Sequence, residues 1–411
     1  MVETTINLLG LRDQYLNADG TYNMELLDNC FTELVLEKKL ILKEIDDNQA
    51  VFLSTFYYTE LNIARMLLEL NISTPEDDYI LGVKMDTVED MSGIHLDDLQ
   101  RQAVVATQNN GVSIITGGPG TGKTTTINAI IQLFESDGLE VSLAAPTGRA
   151  AKRMTEATGH EAKTIHRMLE ISGGQSDDPE LDAKFGRNEQ NPLETDVVIV
   201  DESSMIGCKL FRDIFTQVRP DATLIFVGDK DQLQSIEPGQ VFTDMIDSKV
   251  IPTTILDHIF RQGQNSMIPI NAKLINEGNP KMIWNERDFQ LIRIEGNDKM
   301  IEEEISKKIP QIYEMNYENR EYSDVQLLSP LRKKFSRSGK VALTSTEYLN
   351  PVIRDLINPY ATPDSKEYVE TYGKRFYMGD KVLETSNSNI NGIVNGDIGK
   401  IIKIDPKDFT I

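Results

Sequence analysis

The chain has 411 residues, of which 39% are hydrophobic and 26% are charged, as is ordinary for a globular protein of two or more domains. No apolar run approaches the ~18 residues of a membrane span, and Cys30 and Cys208 are too far apart in sequence to indicate a disulfide framework or a cysteine zinc site. The net charge of −23 argues at face value against a polyanionic partner, although a local basic groove can bind nucleic acid on an acidic protein.

The apolar pattern of residues 1–81 predicts a small helical or winged-helix unit. Apolar residues recur at three- and four-residue spacing across residues 24–42 and 51–70. Residues 73–93 contain Pro75 and several acids, and are predicted to be a linker. The N-terminus lacks a basic segment followed by an apolar one, so a cytoplasmic location is expected.

From residue 94 onward, short apolar runs alternate with segments of helical spacing. Strands are predicted at 112–116, 140–145, 197–200 and 223–227, and helices at 97–107, 124–135, 148–158 and 164–169. Because the strands are short and apolar on both faces, they predict a parallel sheet with helices on both sides, which is an α/β fold. Between them, residues 171–195 form a polar insertion that is predicted to be a surface loop or a short hairpin.

A second α/β segment is predicted to begin near Thr253. It contains predicted helices at 271–276, 299–309 and 341–357, and a predicted strand at 325–329. From Tyr377, short β-rich runs separated by glycines predict the start of a small β-barrel. The predicted domains are therefore 1–81, 82–252, 253–376 and 377–411.

The stretch GVSIITGGPGTGKTTTINAII, residues 111–131, carries the strongest chemical signal. It contains the P-loop pattern of glycine, any four residues, glycine, lysine, then serine or threonine, between a predicted strand and a predicted helix. Such a loop turns its backbone amides toward phosphate oxygens. The predicted nucleotide-binding residues are Gly117, Gly118, Pro119, Gly120, Thr121, Gly122, Lys123, Thr124 and Thr125. We expect Lys123 to reach the β and γ phosphates and the Thr124 hydroxyl to hold Mg²⁺.

Two acids follow the predicted strand VVIV, in the segment VVIVDE at 197–202. Ligands of open α/β sheets bind beyond the carboxyl ends of the strands, so both acids are expected to face the phosphates. Asp201 suits the Walker-B role of holding Mg²⁺, and Glu202 is the candidate general base that polarises the attacking water. The alternative is a solvated pair of acids at a strand end.

Two further residues are candidates for the same site. LIFVGDKDQ, at 224–232, repeats the strand-end geometry, and Gln232 is expected to position water or to sense the phosphate. Arg261 follows LDHIF at the start of the second α/β segment, and it could stabilise transition-state charge when two domains close. An ordinary surface ion pair is the alternative for Arg261.

The segment APTGRAA, at 145–151, begins the most basic window of the first predicted domain. Its small residues permit close approach of another chain. The basic residues in and after it are Arg149, Lys152, Arg153, Lys163, His166 and Arg167. This window suits phosphate contacts to single-stranded nucleic acid, and a solvated helix face is the alternative.

Together, these ordered segments resemble the motifs of superfamily-one helicases, and within them the RecD-like branch of 5′→3′ DNA helicases (exodeoxyribonuclease V alpha subunit-like). The similar segments, in chain order, are LDDLQRQAV, GGPGTGKTTT, APTGRAA, TIHRML, VDESSM, VGDKDQLQSIEPGQVF and IFRQ. LSPLRK, at 328–333, and GDKVLETSNSNINGIVNGDIG, at 379–399, also resemble RecD-type segments. The latter would enter an SH3-like insertion of the second motor domain. The resemblance runs from about residue 24 to the end.

The resemblance implies two RecA-like domains, the second of them partial, with ATP and Mg²⁺ between them and single-stranded DNA across their top. Gln100 would read adenine, and Arg261 would be the arginine finger. The implied DNA contacts are Pro146, Thr147, Arg149, Thr164 and His166. Residues 171–195 would correspond to the small domain that carries a strand-separating pin. The implied setting is DNA repair or recombination, with a recombination nuclease complex as a second candidate partner and no membrane partner.

The later motifs of the family normally follow the SH3-like insertion, and none occurs before Ile411. The N-terminal part also resembles the family only from partway into its usual N-terminal region. The chain is therefore expected to be a fragment or a truncated reading frame that binds ATP, hydrolyses it poorly and does not unwind DNA alone. Two alternatives are a P-loop ATPase with another DNA task and a catalytically silent module that binds ATP and DNA.

Overall fold

The computed structural model describes residues 23–45, 47–170, 187, 191–258, 266–279, 281–283, 288–296, 298–317, 325–332, 342–362, 365, 368–371, 373–385 and 396–405. The chain forms two compact units, Met1–Gly263 and Gln264–Ile411. Each unit is described by itself.

The described part of the first unit begins with helices and a hairpin. Its elements are α1 (Met24–Leu36), β1 (Leu40–Ile45), β2 (Asn48–Leu53), α2 (Ser54–Leu70) and α3 (Asp78–Ser92). β1 and β2 pair antiparallel, so the helix predicted across residues 24–42 is wrong after Leu36. Lys38 and Asp47, with φ of +59° and +60°, lie in left-handed turns at the two ends of β1. These turns end the helix and reverse the chain.

Helix α3 occupies most of the stretch that is predicted to be a linker, so that prediction is wrong. The Asp77 carboxylate caps the helix by accepting two backbone N–H groups of the first turn. Leu81, Met85 and Val88 are buried along one side at helical spacing. The acids that suggested a linker therefore belong to an amphipathic helix.

Strands and helices then alternate through the rest of the first unit. The elements are α4 (Asp98–Asn109), β3 (Val112–Gly117), α5 (Lys123–Ser136), β4 (Val141–Ala145), α6 (Gly148–Thr158), β5 (Ala162–Thr164), α7 (Ile165–Met168), β6 (Val197–Val200), a 3₁₀ helix (Ser203–Met205), α8 (Cys208–Gln217), β7 (Thr223–Gly228), α9 (Val241–Ser248) and β8 (Thr253–Leu256). The strands form one six-stranded parallel sheet in the order β5-β4-β6-β7-β3-β8. The predicted parallel sheet with helices is confirmed.

Successive residues of the central strands point into two separate cores. In β6, Val198 and Val200 pack on one face of the sheet, and Val197 and Ile199 pack on the other. Helices α2, α8 and α9 cover the first face, and α3, α4, α5 and α6 cover the second. Each fully buried aliphatic side chain of this kind contributes roughly 1.5–3 kcal/mol to stability. Helix α2 of the predicted N-terminal unit is thus part of the core beneath the sheet.

Strand β8 corrects the predicted start of a second α/β segment at Thr253. It is the edge strand of the first sheet, and Ile114 of β3 pairs with Thr253 in parallel register. The backbone N–H of Ile114 also donates to the carbonyl oxygen of Pro252 at 2.8 Å. β8 therefore extends the P-loop side of the sheet.

The described part of the second unit contains helices and two antiparallel strand pairs. The elements are α10 (Met267–Asn276), α11 (Asp298–Tyr317), α12 (Thr346–Ile357), β9 (Tyr368–Thr371), β10 (Lys374–Tyr377), β11 (Lys381–Leu383) and β12 (Ile398–Lys400). β9 pairs with β10, and β11 with β12. Since both described pairs are antiparallel, a second RecA-like domain stays a prediction.

Two predicted elements of this unit differ from the structure. Residues 325–329 form no strand, and the Val325 carbonyl oxygen instead accepts hydrogen bonds from the Tyr313 hydroxyl at 3.1 Å and the Lys381 ammonium at 2.7 Å. The helix predicted from residue 341 begins at Thr346, because the Ser345 hydroxyl caps its first turn.

Most of the predicted insertion, residues 171–186 and 188–190, lies outside the described residues. Across the part of the chain that the structure describes, no helix combines the length and the hydrophobicity that crossing a membrane requires.

Candidate functional site

The loop between β3 and α5 makes the tight turn that a P-loop needs. Gly120 and Gly122 have φ of +79° and +84°, in the left-handed region that favours glycine. Gly117 leaves no room for a side chain, since an added Cβ would lie 2.6 Å from both the Leu256 carbonyl oxygen and the Thr121 hydroxyl. Glycine at these positions is required by the path of the backbone.

Lys123 begins helix α5 and folds back over the loop. Its ammonium donates hydrogen bonds to the carbonyl oxygens of Gly117 and Gly118. The Thr121 hydroxyl also donates to the Gly118 oxygen, at 2.9 Å. Thr124 is exposed in the first turn of α5, where backbone N–H groups lack helical partners and the helix dipole is positive. The loop thus places a cation beside the N-terminal turn of α5.

The acids predicted at the end of β6 lie within electrostatic range of Lys123. Burial raises the pKa of Asp201, and it also raises the pKa of Glu202, to which the Asp201 carboxylate adds. The Lys123 ammonium lowers the pKa of both carboxyls. The structure therefore brings Lys123, Asp201 and Glu202 into one polar cluster.

Glu202 lies in a backbone conformation that is uncommon for a residue with a side chain. Its φ is +53°, and its backbone N–H donates to the Asp201 carboxylate at 2.8 Å. The turn leads directly into the 3₁₀ helix, where the Ser203 hydroxyl donates to the Val200 carbonyl oxygen at 2.8 Å. This local bonding sets the directions of the two acids.

The strand register explains why separate segments meet at this edge of the sheet. Val200 of β6 lies opposite Phe226 of β7, and Thr116 of β3 lies opposite Gly228 of β7. All three strands therefore end at the same edge, with β7 between the P-loop strand and the strand that leads to Asp201. The sheet order places the turn after β7 between the phosphate loop and the acids.

That turn is tied to the P-loop strand by a residue that the sequence did not single out. The backbone N–H of Lys230 donates to the Thr116 hydroxyl at 3.0 Å. Asp229 is 5% exposed, and its carboxylate accepts the N–H of Asp231 at 3.0 Å. Gln232 is exposed in the same turn. The sequence signal for Thr116 is weak, because it is one of two polar side chains, with Ser113, in a mostly apolar strand.

Gln100 lies on α4, and both polar ends of its side chain are bonded within the protein. Its side-chain oxygen accepts the backbone N–H of Asp97 at 2.9 Å, and its side-chain nitrogen donates to the Gly122 carbonyl oxygen at 3.3 Å. The residue is 2% exposed. In this structure the Gln100 side chain bonds the start of α4 and the P-loop, and its contact to adenine stays a prediction.

The predicted DNA-contacting residues lie at the ends of β4 and β5, which are neighbours in the sheet. The hydroxyls of Thr147 and Thr164 accept the first-turn backbone N–H groups of α6 and α7, both at 3.2 Å. Pro146 precedes the first of these caps and is partly exposed, whereas Arg149 and His166 are exposed. The predicted DNA contacts that follow β4 and those that follow β5 therefore lie side by side.

A strip of exposed basic side chains follows these helix starts, and we call it the basic strip. It consists of Arg149, Lys152, Arg153, Lys163, His166 and Arg167. Burial has the largest effect on the pKa of Glu202 and raises it, whereas the positive charge of Arg153 in the strip acts to lower it. The basic strip thus extends to within electrostatic range of the acids at the sheet edge, a relation that the sequence did not predict.

Three predicted segments fall outside the described residues. They are IFRQ at 259–262, which contains Arg261; Lys333 of LSPLRK; and residues 386–395 of the second RecD-type segment. The role of Arg261 stays a prediction.

Two family models match this chain. One is an AAA domain, over residues 95–296, and it covers the parallel sheet from α4 onward. The other is the SH3 domain of ATP-dependent RecD-like DNA helicases, over residues 349–411. The second match confirms the SH3-like part that the sequence predicts near the C-terminus.

Curated relatives resemble the chain over the same regions. The ATP-dependent RecD2 DNA helicase of Deinococcus radiodurans is 33% identical over 315 residues, which are 76% of this chain and 39% of that protein. The RecBCD enzyme subunit RecD of Haemophilus influenzae is 34% identical over 173 residues, which are 36% of this chain and 26% of that protein. The chain thus spans well under half the length of these relatives.

Among solved structures, the Pif1 helicase from Candida albicans is similar with a TM-score of 0.41 and 20% sequence identity, over 75% of this chain and 69% of that one. A Pif1 structure at forked DNA is similar with a TM-score of 0.40 and 17% identity, over 76% of this chain and 72% of that one. At these values the likeness carries no argument about function.

Proposed function

We propose that this chain, which is similar to the RecD-like DNA helicases, is the ATP-binding part of a helicase or translocase that moves 5′→3′ on single-stranded DNA, in DNA repair or recombination. The observation that carries the proposal is the polar cluster of Lys123, Asp201 and Glu202 beside the P-loop. Such a cluster pairs a phosphate-binding cation with carboxylates at the place where a γ-phosphate is attacked.

In this proposal Glu202 is the general base for the attacking water. A general base works best when its pKa lies near the working pH, and burial raises the pKa of Glu202 in that direction. Its left-handed backbone aims the side chain independently of the strand. Asp201, one residue earlier, accepts the Glu202 N–H and so keeps the turn in place.

The residues also fit a magnesium ion. Thr124 and Asp201 supply a hydroxyl and a carboxylate, which are the hard oxygen ligands that Mg²⁺ prefers. The Ser204 hydroxyl is buried near the end of β7 and has no hydrogen-bond partner among the described residues, so this edge of the sheet retains unused polar capacity. Held by Thr124 and Asp201, the ion would supply positive charge that neutralises the negative charge of the phosphates.

The remaining roles complete the proposal. Gln232 positions water or senses the γ-phosphate, and Arg261 supplies positive charge to the transition state. Single-stranded DNA lies along the basic strip, with Thr147 and Thr164 at the helix starts that border it. Since relatives are named as subunits of the RecBCD enzyme, a recombination nuclease complex is the proposed second partner.

A comparison of the unaltered chain with Lys123→Ala tests the proposal. We expect the unaltered chain to bind ATP and to release phosphate faster when single-stranded DNA is present. Lys123→Ala removes the phosphate-binding ammonium, so ATP binding should weaken at least tenfold, on the order of two charge-assisted hydrogen bonds. Titration with a fluorescent ATP analogue and a phosphate-release assay measure the two effects.

Lys39→Ala is the matched control, because it removes an exposed lysine that lies before the hairpin and pairs with Glu37 at 2.7 Å. It should leave ATP binding unchanged. ATP binding that survives in Lys123→Ala would contradict the proposed site. Binding of ATP and DNA by the unaltered chain without any turnover would instead support the catalytically silent module.

A further inference from the structure

The turn that carries Gln232 leaves the sheet at the end of β7. Asp229 is buried, whereas Lys230, Asp231 and Gln232 are exposed. Within the turn, the Asp231 N–H donates to the Asp229 carboxylate at 3.0 Å, and the Gln232 N–H donates to the Asp229 carbonyl oxygen at 3.1 Å. The Lys230 N–H instead donates to the Thr116 hydroxyl at 3.0 Å. Of these three bonds, the one to Thr116 ties the turn to a different strand, β3.

Thr116 lies in a rigid part of the sheet. It is 0% exposed, so its hydroxyl does not face solvent, and it lies opposite Gly228 of β7 in the parallel register. An added Cβ at Gly228 would lie 2.9 Å from the Phe242 ring and 3.2 Å from the Ser204 backbone nitrogen. β7 is therefore closely packed up to its last residue, and the exposed turn begins directly after this packed end.

We propose that Thr116 is a positioning residue, which fixes the turn after β7 by accepting the Lys230 N–H and thereby sets the place from which Gln232 reaches the phosphate site. This inference rests on the proposed function, in which Gln232 positions water or senses the γ-phosphate. Thr116 itself precedes GGPGTGKTTT, the segment that resembles a helicase motif. It therefore adds a residue to the proposed machinery.

The place of Thr116 in the chain makes it suited to join the two loops. The next residue, Gly117, begins the P-loop, and its carbonyl oxygen accepts a hydrogen bond from the Lys123 ammonium. Two successive residues thus bond the phosphate-binding lysine and the turn that carries Gln232. An exposed turn loses conformational freedom where it is bonded or packed. A bond from a buried strand therefore restricts the directions that Gln232 can take.

Three variants of the full chain test this role. Thr116→Val nearly keeps the shape of the side chain and removes the hydroxyl that accepts the Lys230 N–H. Thr116→Ser keeps the hydroxyl and should keep the bond. Thr107→Val is the matched control, because Thr107 is 1% exposed and its hydroxyl donates to the Val104 carbonyl oxygen, at 2.8 Å, within its own helix.

Hydrogen exchange of the nucleotide-free protein reports on the turn itself. In Thr116→Val the backbone amides of Lys230 and Gln232 should exchange several-fold faster than in the unaltered chain. In Thr116→Ser and Thr107→Val they should exchange at the unaltered rate. Unchanged exchange in Thr116→Val would overturn the proposal. Equal acceleration in Thr116→Val and Thr107→Val would also overturn it, because it would show a general loss of stability.

The kinetics of phosphate release test whether Thr116 acts through Gln232. Thr116→Val should lower kcat about fivefold, the effect of one net hydrogen bond, and should leave the KM for ATP nearly unchanged. In a chain that also carries Gln232→Ala, Thr116→Val should lower kcat no further, since the side chain that it positions is gone. An equal loss in both backgrounds would show that Thr116 acts elsewhere and would overturn the proposal.

Failure of this inference is distinguishable from failure of the proposed function. An unaltered chain that neither bound nor hydrolysed ATP would contradict the proposed function. The exchange rates of Lys230 and Gln232 in the nucleotide-free protein would then still decide whether Thr116 holds the turn.

Discussion

Asp201 and Glu202 show how the fold holds single side chains in a setting that costs stability. Burial raises the pKa of each carboxyl above its ordinary value. A carboxyl with a raised pKa in the folded state binds its proton more tightly there than in the unfolded chain. The free energy of unfolding therefore falls as the pH rises through the carboxyl's pKa in the unfolded chain, about 4. The loss is complete above its pKa in the folded protein.

We expect Asp201→Asn and Glu202→Gln each to raise the melting temperature at pH 7, by about 2 °C, because each removes a buried negative charge. The gain should disappear below pH ~4, where the native carboxyls are protonated. Thermal unfolding at several pH values measures this. Both variants should also lose phosphate release. That result would show that the carboxylates that lower stability are the ones that act in ATP hydrolysis.

Asp90→Asn on α3 is the control for this experiment, since it removes an exposed acid and should leave the melting temperature nearly unchanged. A lower melting temperature for Glu202→Gln at pH 7 would mean that the carboxylate is stabilised in the fold. The raised pKa would then be contradicted.

The turn before α8 and the loop after β7 pack closely, because a glycine of each segment lies against a side chain of the other. An added Cβ at Gly207 would lie 2.5 Å from the Cβ of Glu237, and one at Gly239 would lie 2.6 Å from the Cβ of Cys208. The Cys208 N–H also donates to the Pro238 carbonyl oxygen at 3.3 Å. The segment after Asp201 and Glu202 is therefore locked to the segment after Gln232.

Gly239→Ala tests this packing against Gly159→Ala. Both glycines have positive φ, +99° and +77°, but an added Cβ at Gly159 has no atom within 4 Å. Backbone strain should cost each variant about 1–2 kcal/mol, and the collision with Cys208 should add about 1–3 kcal/mol for Gly239→Ala alone. Urea unfolding measures the difference. Equal losses would show that the two segments are not tightly packed.

Charge is distributed unevenly along the chain. The net charge is −23, yet the basic strip gathers exposed positive side chains at the ends of β4 and β5. An acidic protein repels a polyanion at long range, but salt screens that repulsion beyond about 10 Å at 0.1 M. Any binding of single-stranded DNA should therefore depend on the strip and on the salt concentration.

Arg149→Gln should weaken binding of single-stranded DNA and reduce the slope of log affinity against log salt by about 0.7, the value for one phosphate contact. Arg65→Gln on α2, an exposed arginine beside Glu69, should leave the slope unchanged. Fluorescence anisotropy at several salt concentrations measures both. A slope that Arg149→Gln does not alter would place the DNA elsewhere.

Features that depend on neighbours along the chain could be predicted before the fold was known. Alternating apolar runs predicted β3, β4, β6 and β7, since burial on both faces leaves the same local pattern in every such strand. The P-loop was recognisable because its turn needs glycines at fixed spacing, followed by lysine and threonine. The resemblance to RecD-like helicases was also recognisable, because each of the ordered motifs is a short continuous segment.

The folded structure was needed to show which distant segments meet. It placed β8 in the first sheet and α2 against its face, because hydrogen bonding and burial with residues far along the chain outweighed the local signals of a boundary. It also bound the Gln100 side chain to Gly122, a contact between two helices that no spacing encodes. Pairing across the sheet and burial of polar groups are properties of the folded chain, and they decide how the residues of this site act together.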